Sequence, residues 1–254
     1  MPAASSLRMG DSRDCRPGLI WQHAEFGFFP GSGCAMKIRK YVHSCLLLEE
    51  QGEKILFDPG KFSFVDGRVD PEIFGDVGTV VVTHHHPDHV APEVLRRIVS
   101  GSGARVLGNG EVAATLGEHG IAVEVVEDGA RQVGPFTLEA IPAAHEPILS
   151  ESLPRVTAWL INGRVLNPSD SFDARLERHA GTELLLVPVM APYLTELGVM
   201  DFVRRMKPRQ VLPVHDGYAR DYFLAQRYET YRPYFRELGI VFHEPHEPGA
   251  AIDV

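Results

Sequence analysis

The sequence predicts an α+β fold in which β-sheets pack face to face and helices cover their outer sides. Three observations carry this prediction. Apolar strand patterns and amphipathic helix patterns mix along the chain. At 254 residues and 44% hydrophobic content, the chain can build one large layered domain or two small ones. Polar residues of metal-ligand type recur in the loops directly after apolar strands, so the strand ends should converge on one crevice.

The elements follow in order. Residues 1 to 35 carry Gly, Pro, Ser and scattered charge without a sustained period. They read as an N-terminal extension, or as the product of a start codon assigned too early, although Trp21, Phe26, Phe28 and Phe29 could dock on a domain. The folded domain is expected from Met36 to Val254. Met36 to Tyr41 starts a first strand. Tyr41 to Glu49 and Lys54 to Phe57 resemble a hairpin around Gln51-Gly52. Gly78 to Thr83 is a buried strand, and Ala91 to Ser100 a helix with Pro92 in its first turn. A strand at Arg105 to Leu107, a helix at Gly110 to Gly117, and strands at Ile121 to Val126 and Phe136 to Ile141 come next. Thr157 to Ile161 and Arg164 to Leu166 form a hairpin across Asn162-Gly163. Glu183 to Val189 is a strand, Leu194 to Met206 a helix and Gln210 to Val214 a strand. Tyr218 to Leu238 is a long helix stopped by Gly239, and a last strand covers Ile240 to Phe242.

Composition excludes several classes. No apolar run approaches the roughly 20 residues that span a bilayer. Gly18-Leu19-Ile20-Trp21 is too short for the core of a secretion signal. Cys15, Cys34 and Cys45 are odd in number and lack CxxC spacing, so the expectation is a reducing cytoplasm and no disulfide framework. The net charge of -9 argues against a nucleic-acid partner, because phosphate binding normally shows as a basic excess. Arg204, Arg205, Lys207 and Arg209 read as the solvated end of a helix.

The chemistry concentrates in Thr83-His84-His85-His86-Pro87-Asp88-His89, straight after an apolar strand. Each buried imidazole nitrogen would need its own partner, so a packed core has no use for this cluster. Imidazole and carboxylate are ligands for a borderline divalent ion such as zinc. Three later sites share the same grammar: Leu138 to Ile141 before His145, Arg164 to Leu166 before Asp170, and Val211 to Val214 before His215.

With these motifs on view, the chain resembles a metallo-β-lactamase-fold hydrolase. It is most similar to the compact branch of metal-dependent hydrolases related to ascorbate-6-phosphate lactonase. The resemblance runs from about Met36 to Val254 and implies a four-layer αββα sandwich. It implies that His84, His86 and His145 hold one metal, that Asp88, His89 and His215 hold a second, and that Asp170 bridges them. It places Asp58 behind the ligand loop as a buttress. His43 matches a Gly-His-Ser-like position near the pocket, either as a hydrogen-bonded core residue or as a support for the ligands. Tyr193 falls in a loop, Met190 to Thr195, that is often Gly-rich in relatives, and is placed at the pocket. His85 occupies an "x" position and stays outside the site. Ser169 stands where the bridging Asp is usually preceded by Gly. Asp170 could also cap a helix.

Branch by branch, His86 in place of Glu disfavours di-iron oxygen chemistry, and Asp170 in place of Cys departs from the antibiotic-hydrolysing branch. Glu146-Pro147-Ile148-Leu149 after His145 departs from glyoxalase II. The implied chemistry is hydrolysis of a small ester, lactone or phosphoester by a metal-bound hydroxide, with two divalent ions about 3.5–4 Å apart lowering the pKa of a water from about 15.7 towards about 7. Zinc is the first expectation, and manganese or iron could replace it. Asp88 would also orient the hydroxide or take its proton. The alternatives are a phosphodiesterase or nuclease of the same fold, and a metal-binding module without turnover. The expected partner is a small-molecule substrate, and a homo-oligomer is allowed.

Overall fold

The computed structural model describes residues 35–254. The expected N-terminal extension, apart from its last residue, lies outside the described residues, as do Cys15 and Cys34.

One seven-stranded sheet contains β1 (Lys37–Lys40), β2 (Leu46–Glu50), β3 (Glu53–Phe57), β4 (Thr79–Val81), β5 (Arg105–Gly108), β6 (Glu124–Val125) and β14 (Ala250–Asp253), in the order β14-β1-β2-β3-β4-β5-β6. The second, also seven-stranded, contains β7 (Gly129–Val133), β8 (Phe136–Ala144), β9 (Arg155–Ile161), β10 (Val165–Asn167), β11 (Leu184–Pro188), β12 (Gln210–Val214) and β13 (Val241–Phe242), in the order β13-β12-β11-β10-β9-β8-β7. The helices are α1 (Lys61–Phe64), α2 (Pro92–Ser102), α3 (Gly110–Gly117), α4 (Glu196–Met206) and α5 (Asp221–Glu237).

Strand alternation sorts the apolar residues into separate layers. Leu46, Leu48, Ile55, Phe57 and Val81 meet Phe136, Leu138, Trp159, Leu186 and Leu212 between the sheets. Their neighbours Leu47, Leu56 and Val80 face the other way, onto Leu95 and Ile98 of α2 and Val112 and Leu116 of α3. Leu185, Val187 and Val211 pack outward on Val199, Phe202 and Val203 of α4 and on Tyr228, Tyr231 and Phe235 of α5. The result is an α/β/β/α sandwich; of the aromatic residues of α5, Tyr228, Tyr231 and Phe235 are core, while Tyr222, Phe223 and Tyr234 are exposed.

Several expectations change. The strand expected over Tyr41 to Glu49 starts only at Leu46: residues 41–45 form the turn of a β1–β2 hairpin, closed by Tyr41 N to the Cys45 carbonyl at 2.9 Å, with His43 at a left-handed φ of 66° and its N–H donating to Asp216 Oδ1 at 3.1 Å. β8 does not stop at Ile141 but carries Pro142 and runs to Ala144. Pairing with β7 ends at Ala140, so the missing Pro142 N–H has no partner to lose. Only Glu124–Val125 of the strand expected over Ile121 to Val126 is extended. β7 is an exposed Gly-Ala-Arg-Gln-Val edge with no inward apolar run to announce it, and β14 was likewise unexpected. α5 starts at Asp221, which leaves Tyr218 in the turn before it.

Candidate metal centre

Loops after β4, β8, β10 and β12 meet at one end of the two sheets. The ligand atoms of His84, His86 and His145 lie within 4.8 Å of one another, as do those of His84, His89 and Asp170, and those of His43, Asp88, His89 and His215. All the residues expected as metal ligands are therefore brought together. His85 is not among them; its Nδ1 lies 3.6 Å from Glu111 Oε2 on α3.

The loop after β4 is fixed from behind. Asp58 has a left-handed φ of 43°, and its Oδ1 accepts from Thr83 N at 2.8 Å. Asp58 Oδ2 accepts from Thr83 Oγ1 and from His89 Nδ1, each at 2.8 Å. Gly60 is obligatory for a different reason: a Cβ there would sit 1.7 Å from the Asp88 carbonyl oxygen. The strap thus lies directly against the ligand loop.

Ser169 resolves the missing glycine. It adopts the left-handed conformation that favours Gly, with φ 53°, and its hydroxyl donates to Thr83 Oγ1 at 2.8 Å. His43, Asp58, Ser169 and His215 are all non-glycine residues with positive φ, and all four line the site. The other such residues among those described, Gln51, Asp66, Asn162 and Lys207, lie in turns or at a helix end. Backbone strain is concentrated where the surroundings over-determine it. Asp170 does not cap the following helical turn; Asp173 does, accepting from Arg175 N.

Hydrogen bonds set the histidine tautomers. His89 Nδ1 donates to Asp58 Oδ2. His145 Nδ1 donates to the Glu146 carbonyl and His215 Nδ1 to the Met190 carbonyl, each at 2.6 Å. His84 Nδ1 lies 3.2 Å from Thr83 Oγ1 and 3.3 Å from Ser169 Oγ. Those hydroxyl protons already serve Asp58 and Thr83, so His84 Nδ1 carries the hydrogen. Each of these rings presents a bare Nε2. His43, His89, His145 and His215 leave Nε2 buried with no protein hydrogen bond, and so does Asp170 Oδ1. Asp170 lies between them: Oδ1 is 3.1 Å from His89 Nε2, and Oδ2 is 3.1 Å from His215 Nε2 and 3.5 Å from His145 Nε2.

The electrostatics agree with a cation site. Burial opposes charge on His89, but the Asp170 and Asp58 carboxylates outweigh it and hold its pKa well above the ordinary value. Burial likewise opposes charge on His215, and Asp170 raises it. Burial, then His89, pushes His84 well below its ordinary value. Burial raises Asp88, yet the His43 hydrogen bond and the neighbouring imidazoles hold it far below the usual carboxylate range. Burial and the His215 ring lower His43 to about 3. Leaving several buried polar atoms unpaired would cost about 1–3 kcal/mol each. Nitrogen and carboxylate donors aimed at common points fit divalent ions.

Residues 37–215 match the family model described as a beta-lactamase superfamily domain. The chain belongs to the beta-lactamase superfamily. Within it, the UPF0173 protein PF0020 of Pyrococcus furiosus is 31% identical over 189 residues, 72% of this chain and 84% of that protein. A UPF0173 metal-dependent hydrolase of Carboxydothermus hydrogenoformans is 28% identical over 194 residues, 71% of this chain and 84% of that protein. The fold matches that of Igni18, a metallo hydrolase from Ignicoccus hospitalis, with a TM-score of 0.66 at 20% identity over 87% of this chain and 98% of that one. The chain is a metal-dependent hydrolase of the metallo-β-lactamase fold. No helix among the described residues is long and apolar enough to cross a membrane.

Around this superfamily site stand residues that sequence reasoning missed. Tyr218 Oη donates to Asp88 Oδ2 at 2.9 Å, and its place just after His215-Asp216-Gly217 was the available signal. Asp216 receives the buried Lys40 Nζ at 2.5 Å. Glu146 ties two ligand loops together, its N–H donating to the Asp170 carbonyl and its Oε1 accepting from Phe172 N, each at 2.8 Å. Of the expected pocket residues, Tyr193 has its ring 5.8 Å from His145 and 6.1 Å from His215, with a buried hydroxyl that has no protein partner. His43 lies in the cluster itself, its Nε2 3.2 Å from Asp88 Oδ2.

Proposed function

We propose that this chain is a dinuclear hydrolase of a small ester, lactone or phosphoester in the cytoplasm. His84, His86 and His145 would hold one divalent ion, Asp88, His89 and His215 a second, and Asp170 would serve both. The observation that carries this reading is the convergence of bare Nε2 atoms and Asp170 Oδ1 with no protein partner. A donor set rich in imidazole favours zinc, with manganese or iron able to replace it. Such ions, when bound, polarise a carbonyl or phosphoryl oxygen and make a water acidic enough to act as a nucleophile near neutral pH.

The chain's own groups supply the rest. Asp58 orients His89 and anchors Thr83, and so fixes the loop that delivers His84 to His89. Asp88 stays ionised under the donors of Tyr218 and His43, so it orients a nucleophilic water by accepting its hydrogen bond and makes a poor store for its proton. Tyr193 brings a buried, unpartnered hydroxyl beside the His145 and His215 rings, where it can donate to a substrate oxygen.

Metal analysis of purified protein, followed by His86→Ala and Asp170→Ala, tests the assignment. Both variants should lose metal and hydrolysis. Unchanged occupancy in both would overturn it. A panel of lactones, bis(p-nitrophenyl) phosphate and single-stranded RNA then sorts the substrate class.

A further inference from the structure

His43, Asp88, His89 and His215 offer four ligand-type atoms in one small volume. Three of these residues fit a cation. The fourth is built the other way round. His89 and His215 spend Nδ1–H on an oxygen acceptor and leave Nε2 bare. His43 Nδ1 instead lies 3.0 Å from the Gly217 backbone N, which donates to it. A backbone N–H can only donate, so the lone pair of this ring is on Nδ1 and its hydrogen is on Nε2. Binding a cation at Nε2 would require removing that hydrogen from an already neutral ring or breaking the buried Gly217 bond.

The arrangement is over-determined. Asp216 Oδ1 accepts from His43 N at 3.1 Å, and the same carboxylate is clasped by Lys40 at 2.5 Å and by Tyr228 Oη at 3.2 Å. The His43 carbonyl accepts from His215 N at 3.1 Å. The ring lies 3.9 Å from that of His215 and 5.1 Å from that of Phe62, centroid to centroid. Gly217 itself admits no side chain: a Cβ would sit 2.9 Å from Phe62 Cβ and 3.1 Å from His43 Cβ. The donor to Nδ1 is therefore held in place, and Nε2, buried and without another protein hydrogen bond, lies 3.2 Å from Asp88 Oδ2.

We propose that His43 is a fixed hydrogen-bond donor to Asp88, a positioning residue and not a metal ligand. Together with Tyr218 it holds Asp88 Oδ2, the oxygen that also lies 3.5 Å from His215 Nε2, and so sets the rotation of the carboxylate. This rests on the dinuclear reading above and adds the division of labour within the cluster.

Three measurements decide it. Long-range ¹H–¹⁵N correlations of the histidine rings, with and without zinc, should show hydrogen on Nε2 of His43 in both states. Hydrogen on Nδ1, or a zinc-shifted Nε2, would overturn the proposal. Zinc content of His43→Gln and His43→Leu should equal that of the parent protein; loss of one ion from both would make His43 a ligand. On the best substrate of the panel, His43→Leu should lose about 10–100-fold in kcat with little change in KM, as for other residues behind metal ligands. His43→Gln, which keeps an N–H for Asp88, should recover part of the loss. An unchanged kcat in a folded, zinc-loaded Leu variant would reduce His43 to a packing residue and overturn the proposal. If the parent protein takes up no zinc, the dinuclear reading falls, and the ring correlations of the metal-free protein still decide the tautomer.

Discussion

At the residue scale, the histidines are sorted by what lies behind them. His89 carries the clearest consequence. Its contact with Asp58 fixes the ring and raises the basicity of the free nitrogen. Asp58→Asn should therefore weaken zinc binding by about 10–100-fold without touching a ligand, as read by titration against a competing chelator. The raised pKa of His89 means that Nε2 takes up a proton more readily than an ordinary imidazole does, so a metal must compete with that proton. Zinc uptake should release a proton, seen as a dependence of calorimetric enthalpy on the ionisation enthalpy of the buffer, and affinity should fall as pH drops. The metal-free fold behaves in the opposite sense. A raised histidine pKa gives stability that is fully present below about pH 6.5, the ordinary value, and is lost as pH rises through the folded-state value. The lowered His84 and His43 act in the other direction, so the His89 share is read by difference: the denaturant midpoint of chelator-treated parent protein should fall more steeply from mildly acidic to mildly alkaline pH than that of His89→Gln. Residue identity alone pointed to the candidate ligands of the loop after β4, because His and Asp crowd into residues 84–89. It did not show Tyr218 or Asp216, which are ordinary residue types until the fold brings them to Asp88 and His43.

At the element scale, the site depends on how closely two loops approach. The strap Asp58-Pro59-Gly60 leaves β3 and passes against the loop that leaves β4, its parallel neighbour. Lys61 N donates to the Pro87 carbonyl at 2.9 Å and Ala91 N to the Pro59 carbonyl at 3.1 Å, so the loops are bonded as well as packed. Gly60→Ala should displace the Asp88 carbonyl, because the nearest neighbour of the new Cβ is backbone and cannot rotate away. The expected outcome is loss of metal together with a destabilisation at or above about 1–3 kcal/mol, the usual range for overpacking, measured by chemical denaturation. Most strands and helices could be read from the sequence because their apolar periods are clear. The exceptions have physical causes. β7 is nearly all exposed, so pairing with β8, and not burial, makes it a strand. The turn at residues 41–45 closes on its own backbone bonds, but its His43 N–H is met by the Asp216 carboxylate 173 positions away, a partner that no local pattern contains.

At the scale of the whole molecule, the two sheets bring loops from both halves of the chain to one edge. A metal held there would tie the loops after β4, β8, β10 and β12 together and would stabilise only the folded state. Removing it with a chelator should lower the unfolding midpoint, and free zinc at a hundred times Kd should restore about 2.7 kcal/mol per site. A midpoint insensitive to chelation would show that the loops hold their places without an ion. Equal sensitivity in Asp170→Ala and in the parent protein would place the ion somewhere else.

The sequence by itself determined the layered α+β fold, the ligand motif after β4 and the chemical class of the donors, because these depend on residue types at short spacing. Only the tertiary structure decided which ring nitrogens are bare, how Ser169 replaces a glycine, and that His43 turns a hydrogen towards Asp88. Each of these depends on a partner far away in the chain, and hydrogen-bond direction exists only once donor and acceptor have met.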